Sequence, residues 1–278
     1  TGVWVDHLLQ GTQPGAKRPL VKPSQGVHLS FDRSLLPGTS ALFWPRTSDR
    51  RVLFAIPWLG KTIIGTTDTA RADMPQEPLP MAGEVDYLLR ECADFLAAPP
   101  KRSDIRSVWV GLRPLVNPQT ASDSKETKSI SREHTVLVNT DGLVSVTGGK
   151  WTTYRKMGED TVAFFTRITG QVLPKSKTST QKIHGWTASL PAGHWGIYGS
   201  DAEKIKALAR QNPNWQERIH PQFPYILAEV VWACEQEMAL TVEDVLSRRI
   251  RMLILDPEAA LASAESVART MAGVLHKE

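Results

Sequence analysis

The residues of this chain that could do chemistry gather at strand ends and turns. Gly148-Gly149-Lys150-Trp151-Thr152 follows an alternating apolar run, Leu143 to Val146, and opens a helical pattern. A helix N-terminus carries unsatisfied N–H groups and roughly half a positive charge. The two glycines let a planar group approach the backbone closely, and Lys150 adds a full charge. A phosphate suits such a junction, and so does the pyrimidine edge of a flavin, which turns negative on reduction. Composition and spacing leave both open. Arg113, in Gly111-Leu112-Arg113-Pro114-Leu115, and Arg132, in Ser131-Arg132-Glu133-His134, place guanidinium groups beside strands or turns. The planar arginine fork matches phosphate oxygens. Each arginine alone reads as a surface charge; with Lys150 they make three cations near β ends, a pattern that suits a small phosphorylated ligand. His28 follows Gly26 in an alternating run, where a lone imidazole is more often structural than catalytic.

Other motifs carry less. No G-x-G-x-x-G fingerprint and no complete P-loop occurs in the 278 residues. Gly60-Lys61-Thr62 looks like the end of a P-loop, but Ala55 stands where its first glycine is required and the segment reads as a hairpin. His184, His194, His220 and His276 lack ligand spacing, and the two cysteines, Cys92 and Cys234, lie in apolar helical patterns. Buried free thiols and no metal site are the expectation. Arg248, Arg249 and Arg251 form a basic run that reads as a solvated helical face or as a contact for acidic lipid headgroups.

These residues must be positioned by two kinds of element. To about residue 150 the periodicity is mostly two: Gly26–Phe31, Ala41–Trp44, Arg51–Ile56, Lys61–Thr66, His134–Val138 and Leu143–Val146 read as strands. Pro57-Trp58-Leu59-Gly60 and Asn139-Thr140-Asp141-Gly142 connect hairpins, the second marked by Asp-Gly. Antiparallel hairpins can leave one sheet face open to a ligand. One helix interrupts them, with Val85, Leu88, Leu89, Cys92, Phe95 and Leu96 in phase before Pro99-Pro100. From Trp151 a helix runs to Gly170, residues 171–195 read as a polar linker, and four helices follow at about 201–211, 224–238, 242–255 and 257–276. Thr241–Asp244 resembles a capping box, and Asp256-Pro257 a cap before a first-turn proline. The expected fold is α+β: a mostly antiparallel sheet with a separate all-α C-terminal domain. Its parts are 1–170, the linker 171–195 and 196–278.

Composition bounds the class. A hydrophobic fraction of 41% and charged fraction of 22% describe a globular chain, and no apolar run reaches membrane-spanning length. The net charge of +4 and pI near 9.1 are mildly basic, which favours anionic ligands or surfaces without requiring nucleic acid.

A series of blocks then carries a resemblance. T-G-V-W-V-D (1–6), V-H-L (27–29), P-W-L-G-K-T-I-I-G-T-T-D (57–68), D-I-R-S-V-W-V-G-L-R-P-L (104–115), S-R-E-H (131–134), G-G-K-W-T-T-Y-R-K-M (148–157) and the helical tail 224–251 occur in this order. The series resembles FAD-dependent glycerol-3-phosphate dehydrogenase, the quinone-linked respiratory enzyme. The resemblance implies a glycine-oxidase-like flavoenzyme that oxidises sn-glycerol 3-phosphate to dihydroxyacetone phosphate. Hydride passes to FAD and electrons go on to quinone. Gly148, Gly149, Lys150, Trp151 and Thr152 would then face the flavin, and Arg132 would hold the substrate phosphate, with Lys150 also in reach. Arg113 would stabilise the developing alkoxide and His28 would act as base, since arginine scarcely deprotonates. The family's glycine-rich FAD pyrophosphate loop has no counterpart here, so the chain is expected to be a fragment, inactive alone. The implied setting is cytoplasmic, on the inner membrane surface, with a homodimer as one assembly. The alternatives are a glycerophosphate oxidase using oxygen and a phosphate-ligand-binding or interaction module without chemistry of its own.

Overall fold

The computed structural model describes residues 2–12, 19–117, 133–139 and 141–277. In chain order the elements are α1 (Val5–Thr12), β1 (Val21–Asp32), β2 (Leu42–Trp44), β3 (Leu53–Trp58), β4 (Lys61–Gly65) and β5 (Thr69–Ala70). α2 (Ala82–Ala93), β6 (Ile105–Val116), β7 (His134–Val138), β8 (Val144–Gly148) and α3 (Tyr154–Thr169) follow. The tail holds α4 (Ala202–Ala209), α5 (Leu227–Gln236), α6 (Met252–Leu255) and α7 (Pro257–Leu275). The fold is α+β, with antiparallel pairing, as the alternation of periods predicts.

One sheet takes the order β2-β3-β4-β1-β5, with β6 also pairing β1; β7 and β8 form a separate ribbon. β3 and β4 meet in register Trp58↔Lys61. Leu59 and Gly60 alone form the turn, at φ of 47° and 82°. Positive φ at both turn residues matches the right-handed strand twist, so the loop is tighter than the Pro57–Gly60 connection expected. β1, twelve residues long, extends well past the Gly26–Phe31 run, and β6, also twelve, was not among the expected strands.

The chain divides into two compact units. The first comprises Thr1–Val27, Thr66–Val85 and Val110–Gln181. It holds the β1–β5 pairing, the β7–β8 ribbon and α3. The second comprises His28–Gly65, Asp86–Trp109 and Lys182–Glu278, and it holds the β2-β3-β4-β1 pairings and the C-terminal helices.

In the second unit Ile63 of β4 shares a core with Val230, Leu246, Ile250, Met252, Leu255 and Val267. All five residues of β4 are buried, so no open sheet face remains there. Helices cover what a hairpin pattern would leave solvated. Lys61, of the discarded P-loop look-alike, is buried with Nζ 2.8 Å from Asp256 and 3.0 Å from Asp32. Asp256 meanwhile caps α7 by accepting the Ala259 N–H at 3.3 Å. The helix expected at about 242–255 is broken instead. Its cap forms as read, Asp244 N–H donating to Thr241 Oγ1 at 3.1 Å and Thr241 N–H to Asp244 Oδ2 at 3.0 Å. The turns then widen to a π-helix over Asp244–Arg249 and stop at Arg251, whose φ is 61°. The linker is partly tied down: Ser200 N–H donates to the Gly185 carbonyl at 2.9 Å.

Candidate functional site

The Gly-Gly-Lys junction belongs to the first unit. β7 and β8 pair with His134↔Gly148 at their end, and the chain leaves at φ of 76° for Gly148 and 74° for Gly149. Both values lie in the left-handed region that glycine enters without steric cost. A Cβ on Gly148 would fall 2.7 Å from both the Glu133 carbonyl oxygen and Val116 Cγ2; one on Gly149 would fall 2.7 Å from Met157 Sδ. The chain's own close packing therefore demands these glycines. Lys150, exposed, precedes a 3-10 turn over Trp151–Thr153, and the Thr153 N–H donates to its carbonyl at 2.9 Å. Trp151 is 86% exposed and stacks on Tyr154 at 5.7 Å between centroids. No acidic residue occupies the first turn here or in α3. The positive end of the helix dipole is thus left unneutralised, the electrostatic condition an anionic group needs.

α3 presents the apolar stripe that its periodicity predicts, but Tyr154, Val162, Phe165 and Ile168 are exposed. Its other side docks on the ribbon, where His134 Nε2 lies 3.1 Å from Asp160, itself 2.7 Å from Lys156. The Lys156 hydrogen bond lowers the Asp160 pKa despite some desolvation, and its charge and His134 add to the effect.

Arg113 also belongs to the first unit. Its guanidinium donates to the Thr67 carbonyl at 3.1 Å and to Thr66 Oγ1 at 3.0 Å. It lies flat on the backbone of β1, so close that a Cβ on Gly26 would fall 2.2 Å from Nη2. Gly26 is required by this contact. Val116, which touches Gly148, stands three residues beyond Arg113, about 10 Å along an extended strand. One strand thus links the arginine to the glycine junction.

A buried polar network, which sequence reasoning missed, supports Arg113 from below. Glu84, 6% exposed, accepts from Gln25 Nε2 at 2.7 Å, Thr67 Oγ1 at 3.0 Å, Thr69 Oγ1 at 2.6 Å and the Met81 N–H at 3.0 Å. Thr67 Oγ1 in turn accepts the Val27 N–H at 3.0 Å. Thr67 therefore joins Arg113, Glu84 and β1. The only sequence signal was a glutamate in the first turn of α2, which looks like any helix cap.

His28 belongs to the second unit. Its ring stacks on Trp109, 4.0 Å between centroids at 8°, and lies against the Gly65 backbone, where a Cβ would fall 2.4 Å from Cδ2. The imidazole is gripped in one orientation by an aromatic wall. Arg132 lies outside the described residues. Arg248 pairs with Glu243 at 2.5 Å and Asp244 at 3.0 Å, and Arg249 donates to the Glu237 carbonyl at 3.1 Å through Nε. Arg251 lies over the Trp58 ring at 5.8 Å. The basic run is thus largely engaged within the chain. Cys92 and Cys234 are free and buried, and no cluster able to hold a metal occurs among the described residues. No helix among them is long and apolar enough to cross a membrane.

Comparison with known proteins adds a separate line of observation. Residues 1–155 match the family model described as FAD dependent oxidoreductase, and residues 148–278 the one described as the C-terminal domain of alpha-glycerophosphate oxidase. The chain is 35% identical to a probable mitochondrial glycerol-3-phosphate dehydrogenase of Caenorhabditis elegans, over 98% of its own length and 40% of that protein. It is 33% identical to the mitochondrial glycerol-3-phosphate dehydrogenase SDP6 of Arabidopsis thaliana, over 92% of this chain and 45% of that one. Against the crystal structure of glycerol-3-phosphate dehydrogenase from Bacillus halodurans complexed with FAD, it superposes with a TM-score of 0.78 at 27% identity. That match covers 98% of this chain and 56% of the other. The chain therefore spans less than two thirds of each of these relatives.

Proposed function

Because the chain belongs to the FAD dependent oxidoreductase family, we propose that its parent protein oxidises sn-glycerol 3-phosphate to dihydroxyacetone phosphate, using FAD and passing electrons to quinone. The observation that carries this reading is Arg113, a guanidinium fixed over Gly26 by Thr66 and Thr67 before any substrate arrives. A preorganised cation of this kind stabilises an alkoxide developing at the substrate C2 oxygen at no cost in reorganisation. His28 takes the C2 hydroxyl proton, its ring held by Trp109. Arg132 and Lys150 pair with the phosphate. Gly148, Gly149, Lys150, Trp151 and Thr152 would hold FAD, which suits a junction whose first helical turns carry no acidic residue. When bound, FAD supplies the hydride acceptor.

The match to a glycerophosphate oxidase C-terminal domain favours one second reading, the same oxidation with oxygen as acceptor. Parallel assays of the parent protein with a quinone analogue and with oxygen separate the two. We further expect the parent protein to act at the cytoplasmic face of the inner membrane, as a homodimer. The chain alone, having no G-x-G-x-x-G loop, is expected to purify colourless and to leave a dye unreduced with glycerol 3-phosphate. In the parent protein, Arg132→Ala raises KM strongly and His28→Ala chiefly lowers kcat. Wild-type kinetics in both variants would remove these residues from the site.

A further inference from the structure

The second unit contains a cleft of about 620 Å³ whose lining includes Asp32, Arg33, Lys61, His194, Phe223 and Tyr225. The volume lies within the range of small-molecule sites and exceeds that of a bare phosphate several-fold. Its charges are unevenly engaged. Lys61 is committed to Asp256 and Asp32, and Asp32 also accepts from Arg106 Nε at 2.9 Å. Arg33 is not committed. Among the described residues its guanidinium makes no hydrogen bond or ion pair, and Nη1 is shut off from solvent without an acceptor. A desolvated donor on a charged group left without a partner is costly, which is why such groups are nearly always paired.

His194 lines the same cleft but is not unengaged in the same way. Among the described residues its Nε2 makes no hydrogen bond, yet it lies within ion-pair distance of Glu229. Glu229 Oε2 lies 3.4 Å away, and that carboxylate also accepts the Ile226 N–H and the Tyr198 hydroxyl, each at 2.8 Å, so Arg33 is the charge of the cleft left unengaged among the described residues. The remaining wall combines Gln222 with apolar groups, the Phe223 and Tyr225 rings stacked at 5.9 Å and 13° beside Leu59 and Pro224.

We propose that this cleft is a second binding site, independent of the glycerol 3-phosphate reading, for a small phosphomonoester or carboxylate carrying an apolar or aromatic body. The anion pairs with Arg33, whose planar fork accommodates two acceptor oxygens. The body rests against Leu59 and Pro224, in front of the buried Phe223 and Tyr225 rings, and its size accounts for the volume that inorganic phosphate would leave empty.

Calorimetric titration of the full chain with phenyl phosphate, benzoate and inorganic phosphate tests the proposal. Saturable binding of phenyl phosphate or benzoate is expected, at least tenfold tighter than inorganic phosphate. Arg33→Gln weakens it at least tenfold, and Arg33→Lys, which keeps the charge and loses the fork, falls between and serves if the glutamine variant does not fold. The double variant Arg113→Gln Lys150→Gln binds like wild type, and glycerol 3-phosphate does not compete. Absence of saturable binding, equal affinity in both Arg33 variants and wild type, or loss confined to the Arg113→Gln Lys150→Gln variant would each overturn the proposal. None of these outcomes bears on glycerol 3-phosphate oxidation, which the experiment does not measure.

Discussion

Replacing Lys61 by methionine probes how this fold carries a buried charge. Nζ is bracketed by Asp256 at 2.8 Å and Asp32 at 3.0 Å, and the Lys61 and Asp256 side chains are each 9% exposed. Methionine retains most of the apolar stem and deletes the ammonium. Asp32, half exposed, keeps Arg106; among the described residues the Asp256 side chain keeps its cap bond to Ala259 and the field of Arg106, with no ion pair of its own. Breaking a buried pair by removing one partner costs about 3–5 kcal/mol. The surviving cap bond and the exposure of Asp32 place the loss near the lower end, about 3 kcal/mol. Adding Asp256→Asn removes the stranded charge and retains a good N-cap acceptor, so the double variant recovers about 1–2 kcal/mol.

The pH dependence follows from the same contacts. Burial pushes the Asp256 carboxyl up, but the Lys61 hydrogen bond, the Ala259 N–H and the Lys61 charge outweigh it and hold the pKa below its ordinary value. A carboxylate depressed in the folded state contributes stability above its unfolded pKa of about 4 and loses it as pH falls through the folded value. In Lys61→Met only the Ala259 N–H and the more distant Arg106 charge still oppose burial, and the pKa rises. Protonation then relieves the stranded charge, and the penalty shrinks between about pH 7 and pH 5. Urea unfolding at both pH values, followed by tryptophan fluorescence, measures this. A neutral-pH loss below about 1 kcal/mol, or a double variant no more stable than the single, refutes the reasoning.

Three further expectations concern other contacts. Gly149→Ala forces alanine to a φ of 74° with its Cβ 2.7 Å from Met157 Sδ, and lowers stability by about 1–3 kcal/mol in thermal unfolding. Adding Met157→Ala restores only the steric part. Gly26→Ala displaces Arg113 and lowers kcat/KM of the parent protein by about 10²-fold with unchanged circular dichroism; an unaltered kcat/KM would detach Arg113 from catalysis. Cys92, its thiol pushed up to about 12 by burial and by the Glu91 charge, stays unmodified by iodoacetamide in the native chain and reacts on unfolding, as mass spectrometry would show.

What was legible in sequence was what local rules control. The β7–β8 hairpin, the Thr241–Asp244 cap, the Asp256 cap of α7 and the helical stripe of α3 each follow from a few neighbouring residues, because turns, caps and side-chain period depend on bonds within one turn or strand pair. The blocks around Arg113 and Gly148–Lys150 likewise pointed to the family without any geometry. The long-range pairs were not legible. Nothing near Lys61 marks it as the partner of Asp256, 195 residues away, and nothing near Glu84 marks it as the hub beneath Arg113. The basic run at Arg248–Arg251 looked solvated until its carboxylate and carbonyl partners were in place. Gly149 looked like room for a planar group, and only the fold shows that a Cβ there would strike Met157, as one on Gly26 would strike Arg113. Sequence by itself determined the local turns, the caps, most of the elements and the family. Tertiary structure alone decided which charges are neutralised and which stand unpaired, because desolvation and Coulomb energy depend on distances that close only when remote segments pack.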